Sequence, residues 1–279
     1  DSPIFYAIQS GYLNVVDYLF KADIKLDQTD HRHRSCIIAA AAAGQLELLQ
    51  YIHESGKVEL TAKDDEDNSL WHFGVESGSI PILDYLCRFS KERDQVNIRG
   101  QTALHLAVIK QEVQIVQFLC SEGFDHTLQD SEGRNSTNLA VESGNIEILQ
   151  FLKGRGVDFK TKSSGGWSLL ELAVHHGHLR VVEFLQESNV NINARDAKNG
   201  FLIHKAVKGG HLHVIEDLVC QGLDIDLKDF EGKTPLLVAA ECGHLHIMKY
   251  LIGQKADIFQ TDLNGRNMMH AAAWGGSTE

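Results

Sequence analysis

Apolar residues in this chain fall into two alternating blocks, and the stretch from Gly232 to Gly253 (GKTPLLVAAECGHLHIMKYLIG) shows both. The first block runs from Thr234 to Gly243. The second carries Leu245, Ile247, Met248 and Leu251, which stand two, four, five and eight residues after Gly243. That spacing keeps one face of a helix apolar, and Leu179, Val181, Val182 and Leu185 repeat it after Gly177. With Gly243 as the marker, the equivalents are Gly11, Gly44, Gly78, Gln111, Gly144, Gly177, Gly210 and Gly276. The step is 33 residues throughout, except for 34 between Gly44 and Gly78. The pattern predicts a row of helix–turn–helix units whose helices, about two to three turns each, are too short to be stable alone in water. Stacking of neighbours must supply the free energy, so the core is expected to be a stripe passing from unit to unit.

Three further columns refine the units. Four residues before the marker stand Ala7, Ala40, Gly74, Ala107, Ala140, Ala173, Ala206, Ala239 and Ala272, small residues that let helices approach closely. Nine before it stand Ser2, Ser35, Ser69, Thr102, Asn135, Ser168, Thr234 and Asn267, an N-cap column broken only by Phe201. Seven after it the chain is aromatic at Tyr18, Tyr51, Tyr85, Phe118, Phe151, Phe184 and Tyr250, with Asp217 as the exception. Gly and Asp turn signals in segments such as Asp224 to Lys233 and Asp257 to Arg266 predict hairpin-like fingers between units. The extra residue of the long step falls between Gly56 and Ser69, beside Asp64-Asp65-Glu66-Asp67, where a loop tip absorbs it.

A period of 33 with helix starts of the T-P-L-H-x-A kind resembles the ankyrin-repeat family. Thr234-Pro235-Leu236, and His72, His105, His204 and His270 at the histidine position, carry the resemblance, and it covers the chain end to end. It implies an all-α ankyrin-repeat solenoid over 1–279. The units would lie near 1–26, 30–62, 64–94, 97–129, 130–162, 163–195, 196–228, 229–261 and 262–279, the first and last incomplete. In this family the histidines tie neighbouring loops by hydrogen bonds, and the repeat itself is a binding scaffold with no catalytic role. The resemblance therefore implies a non-enzymatic protein without cofactors. It would bind a partner protein or peptide along the concave face made by the first helices and fingers. Positions five and two before each marker are expected to face outward there: Phe73 and Glu76, Leu106 and Ile109, Leu139 and Glu142, Leu172 and His175, Lys205 and Lys208. Trp274, two before its marker, joins them as an exposed anchor. The abrupt start at Ser2-Pro3-Ile4 and the stop just after Gly276 suggest an excerpt from a longer chain. Its setting would be a cytosolic adaptor, the recruiting segment of a larger enzyme or substrate receptor, or the cytosolic array of a channel or structural protein.

Charge narrows the partners. Lys plus Arg number 26 against 38 Asp plus Glu, a net charge of −12. This opposes nucleic-acid binding, which draws its affinity largely from Lys and Arg, and favours basic or polar protein partners. No apolar run approaches the ~20 residues of a membrane span, so no direct membrane insertion is expected, and the first residues lack the basic-then-apolar order of a signal peptide. Five scattered cysteines without a CxxC pair point to a reducing, cytoplasmic setting.

Fifteen histidines raise the question of metal. Stacked equivalents should lie about 8–10 Å apart, whereas zinc needs its nitrogens at about 2 Å, so no metal site is expected. His211-Leu-His213 and His244-Leu-His246 are the residual candidates. Cys87 and Cys120 flank the apolar face of their helices and read as inert thiols. Asp64 to Asp67 lacks the Gly and distal Glu of a calcium loop, and Gly165-Gly166 follows no strand, so it is no phosphate loop. Trp71 takes the leucine slot of its helix and is expected in the core, while Trp167 precedes a helix start. Gln111, the one marker that is not glycine, is expected at positive φ. The joint from Arg88 to Gly100 is the least regular and lacks the usual glycine, and early opening is expected near residues 88 to 111.

Overall fold

A computed structural model describes residues 2–22, 29–30, 32–56, 58–163, 165–187 and 201–275. The marker at Gly276 and the finger from 188 to 200 lie outside the described residues. The chain divides into two compact units, Asp1–Leu139 and Ala140–Glu279.

Helices alternate between leading and following members of a pair. The leading helices of the first unit are α1 (Pro3–Gln9), α3 (Cys36–Ala42), α5 (Leu70–Glu76) and α7 (Ala103–Ile109). Their followers are α2 (Leu13–Lys21), α4 (Leu46–Glu54), α6 (Ile80–Phe89) and α8 (Val113–Ser121). The next pair is α9 (Ser136–Glu142) and α10 (Ile146–Gly154). In the second unit α11 (Leu169–His175), α13 (Leu202–Gly209), α15 (Pro235–Glu241) and α17 (Met268–Trp274) lead. There α12 (Leu179–Gln186), α14 (Leu212–Cys220) and α16 (Leu245–Gly253) follow.

Leading helices pack on one another in sequence, α1 on α3 on α5 on α7 in the first unit and α11 on α13 on α15 on α17 in the second. Each interior one also packs on its own follower, as α5 does on α6 and α13 on α14. Neighbours on three sides bury it almost all round: in α5, Leu70, Trp71, His72, Phe73, Gly74 and Val75 are all buried. The following helices, with one covered face, keep the amphipathic pattern read from sequence, such as buried Val181, Val182 and Leu185 in α12. Close approach explains the small-residue column. A Cβ on Gly74, where other units carry alanine, would lie 2.7 Å from Leu83 of α6.

This packing corrects one expectation. Phe73, Leu139 and Leu172 do not face outward; they are 4%, 5% and 9% exposed, and Leu106 and Lys205 are half-buried. A helix wedged between two others and its own follower has only a narrow open stripe. The residue two before the marker occupies it: Glu76, Ile109, Lys208 and Trp274 are exposed, and Glu142 and His175 partly so.

The caps follow chemistry more closely than the column alone predicts. Thr102 and Ser168 accept from the backbone N–H of the third helical residue, and His105 and Glu171 reach back to the backbone N–H of the capping residue. Asn135, Thr234 and Asn267 also accept such a bond. Ser2 and Ser35 make none, a departure from the expected column; their third helical residues, Phe5 and Ile38, carry nothing polar to complete the exchange.

Gln111 has φ of +59°, as its place in the marker column predicts. The other positive-φ non-glycine residues among those described, His33, Asp67 and Lys255, likewise stand where sister units use glycine. A side chain with a Cβ costs about 1 kcal/mol in this region. Gln111→Gly should therefore raise stability by roughly 0.5–1 kcal/mol; a lower urea midpoint for the variant would contradict this.

The joint after α6 departs from the pattern and is well secured. Ser90 is extended (φ −109°, ψ 132°) where other units turn left-handed. Trp71 Nε1 donates to the Glu92 carbonyl at 2.8 Å, and the Arg93 guanidinium donates to that of Glu122. Asp94 accepts from the Asp125 N–H, Asn97 Nδ2 donates to Asn68, and Ile98 N–H donates to the Glu66 carbonyl. The joint without its glycine turn is thus tied to both neighbours, through the side chains of Trp71 and Asn68 on one side and the backbone of Glu122 and Asp125 on the other.

A candidate protein-binding surface

The fingers among the described residues are built on turns. Asp130 Oδ1 accepts from the backbone N–H of Glu132 at 3.0 Å and of Arg134 at 2.9 Å, and Asp30 and Asp262 repeat the arrangement. Arg34, Arg134 and Arg266 pair with the same carboxylates. Burial pushes the Asp130 pKa upward, but the Arg134 guanidinium and backbone N–H hold it below the usual range. Asp64 makes the same turn through Glu66 and Asn68, so the head of the acidic run is occupied in folding its own finger. Neighbouring fingers are joined by Ser131 N–H to Arg99 O at 2.9 Å and by Leu263 N–H to Glu231 O at 3.0 Å.

Histidines fasten repeats in both directions. His72 Nδ1 accepts from the Ser69 N–H at 3.1 Å, so Nε2 carries the proton and donates to the Gln101 carbonyl at 2.8 Å. His105 accepts from Thr102 in the same way and donates to the carbonyls of Leu128 and Arg134. His204 Nε2 reaches the Lys233 carbonyl at 2.9 Å. Looking back, Nε2 of His178 and of His211 donates to the carbonyl of Glu142 and of His175, each at 2.8 Å. His213 donates to Gly177. Both members of the His211-Leu-His213 pair are therefore engaged, and among the described residues no group of three His, Cys, Asp or Glu could hold a metal ion. Burial, Glu122 and other neighbours push the Cys87 thiol up to about 11, leaving it protonated at neutral pH.

Burial also lowers the pKa values of His72, His105 and His204, and the hydrogen bonds to carbonyls offset this only in part. The unfolded chain, with histidine near ~6.5, takes up protons that the folded chain does not. Stability should be complete above that pH and fall as the pH drops through it toward the lowered values. Urea titrations at mildly acid and neutral pH check this. His105→Asn, which copies Asn138 accepting from the Asn135 N–H at 3.1 Å, should flatten the dependence; an unchanged slope would contradict the assignment.

The exposed stripe is the part of the fold that packing leaves unassigned. In the first unit it presents Glu76 and Ile109, and Ile98 is exposed on a fingertip. In the second it presents His175, Lys208 and Trp274, the last 76% exposed, with Phe230 and Leu263 on fingertips. The fingertip hydrophobics were legible as apolar residues directly after the turn Asp or Asn, but no helical period marks them. The structure also brings together His175, Lys205 and Trp167. Lys205 Nζ lies 3.5 Å from the Trp167 ring centroid, and the His175 ring meets the indole edge-on at 5.2 Å.

No helix among the described residues is long and apolar enough to cross a membrane. A family model described as ankyrin repeats (3 copies) matches residues 36–130, 71–163, 122–196 and 203–279. Alpha-latroinsectotoxin-Lt1a of Latrodectus tredecimguttatus is 24% identical over 110 residues, which cover 38% of this chain and 7% of the toxin's length. Repeats of the matched kind are generally protein–protein interaction modules.

Proposed function

The chain belongs to the ankyrin-repeat family, and we propose that it is a non-catalytic scaffold holding a partner protein through the exposed leading-helix stripe and the fingertips of its units. One observation carries this reading. The column four before the marker stays small and the core positions of the following helices stay apolar, whereas the stripe runs Glu76, Ile109, Glu142, His175, Lys208, Glu241, Trp274. A fixed backbone that displays a different chemistry at each step suits recognition, and packing does not dictate these choices. Two further features support it. Exposed aromatic and apolar side chains such as Trp274 and Leu263 are of the kind that anchor interfaces, and the net charge of −12 opposes nucleic acid. Five cysteines free of disulfides suit a reducing, cytoplasmic setting. The likeness to the toxin is confined to the matched segment and supports the scaffold alone.

The test is capture from cell extract by the chain and by two variants, Ile109→Asp on the stripe and Lys249→Glu on the exposed side of α16. Proteins held by the parent and Lys249→Glu but lost by Ile109→Asp support the reading. An identical retained set in all three contradicts it.

A further inference from the structure

Asparagine is a thermolabile residue, and at most described positions this fold ties its side chain down. Asn135, Asn145 and Asn267 cap helices through their side-chain oxygens, and Asn138 accepts from the Asn135 N–H. Asn97 Oδ1 accepts from the N–H groups of Arg99 and Gln101, and Asn68 Nδ2 donates to Asp64. Asn264 differs. It stands exposed on the fingertip between Asp262 and Arg266, and its carboxamide bonds to no described residue. That exposure belongs to the place, since Glu66, Arg99 and Glu132 are exposed at the same point of their fingers. Among the described residues Asn264 is also the one asparagine followed by glycine, a residue with no Cβ to crowd its own nitrogen. Asn199-Gly200, the other such pair in the sequence, lies outside the described residues. Asn14 lies within α2 and precedes Val15, whose branched side chain crowds the corresponding nitrogen.

We propose that Asn264 is a site of spontaneous covalent modification, where the fingertip backbone closes on the side chain and reopens as a mixture of aspartyl and isoaspartyl residues. The Gly265 nitrogen attacks Cγ of Asn264. The N–Cγ bond forms, the Gly265 amide proton passes to solvent, and the Cγ–Nδ2 bond breaks, the nitrogen leaving as ammonia with a proton from solvent. Water then opens the cyclic imide. Hydrolysis at Cγ leaves an ordinary aspartyl residue, and hydrolysis at the main-chain carbonyl leaves an isoaspartyl residue whose backbone runs through the former side chain. The Gly265 N–H is held by the Asp262 carbonyl at 3.0 Å, so closure waits for the fingertip to open, a local event that costs less than unfolding. The isoaspartyl form adds a methylene to the backbone between Asp262 and Arg266. Asp262 Oδ1 can then no longer hold both the Asn264 N–H position at 2.8 Å and the Arg266 N–H at 2.9 Å. The Arg266–Asp262 pair, whose guanidinium lies 5.8 Å from the Trp274 ring centroid, is loosened with it. The proposal stands apart from the scaffold reading, because the chemistry needs no partner.

The full chain is aged in mildly alkaline buffer, and its proteolytic peptides are followed by mass spectrometry, with electron-transfer fragmentation separating aspartyl from isoaspartyl. Asn264 should convert to both forms while the capping Asn135, Asn145 and Asn267 remain amides; Asn199 is read on a separate peptide. Sub-denaturing urea should leave the rate unchanged, as local opening requires. Asn264→Gln should abolish the conversion with unaltered circular dichroism, because the side chain it replaces is exposed and unbonded. Amide exchange at Arg266 should speed up in the isoaspartyl chain. In the Asn264→Asp chain, which carries the charge without the extra methylene, it should stay at the parent's level. Conversion of a capping asparagine ahead of Asn264, a rate that rises with urea in step with global unfolding, or equal Arg266 exchange in isoaspartyl and parent chains would overturn the proposal. So would an Asn264 that stays intact while the urea-unfolded chain converts to completion.

Discussion

Replacing Trp71 with alanine should lower the unfolding free energy by about 3–5 kcal/mol, the usual range for removing a large buried aromatic. The side chain is 2% exposed, meets Phe124 of the next repeat edge-on at 5.0 Å, and donates to the Glu92 carbonyl at 2.8 Å. Glu92 lies within the joint that lacks its glycine turn, and Phe124 lies in the repeat beyond it. The substitution would thus open a cavity in α5 and release the strand of backbone that follows α6. In an array where each unit contacts only its neighbours, the damage should spread one unit in each direction. Urea titration gives the magnitude. Amide exchange should place the earliest opening between residues 88 and 100 in the variant and not in the parent. A loss below about 1 kcal/mol, well outside the range for such cavities, would show that Trp71 does not hold this joint.

Phe73→Ala should be of similar size, about 3–5 kcal/mol, although the sequence places Phe73 in the expected partner-binding row. It is 4% exposed on a helix covered by α3, α6 and α7. Ile109→Ala, on the open stripe, should stay within about 0.5–1 kcal/mol. The pair distinguishes packing from recognition by stability alone, before any partner is known. Equal effects of the two changes, or a mild Phe73→Ala, would return the position to the outward face.

Much of this architecture is legible in the sequence because one geometry recurs and its exceptions are visible against the repeat. Gln111 can be assigned a positive φ from its column, and its backbone has it. His72, His105 and His204 can be expected to tie neighbouring loops from the family pattern, and each donates to a carbonyl 29 residues on. The errors share one cause. A seven-residue helix surrounded on three sides has no amphipathic period to read, so Phe73, Leu139 and Leu172 look no different from outward residues. The ties that hold the Arg88 to Gly100 joint escape the linear pattern for a related reason. They come from Trp71, Asn68 and Glu122, residues of other columns whose reach a linear pattern does not contain. The Trp167–His175–Lys205 cluster is likewise assembled from three different columns and two repeats.

The central claim, that partners are held by the open stripe of the leading helices and not by the following helices, can be tested by photo-cross-linking. A photoreactive phenylalanine analogue is placed at Ile109, Lys208 or Lys249, each exposed, and the captured partner is irradiated with each. The account predicts covalent adducts from positions 109 or 208 and none from 249. Adducts from 249 alone, with the other two silent, would contradict it.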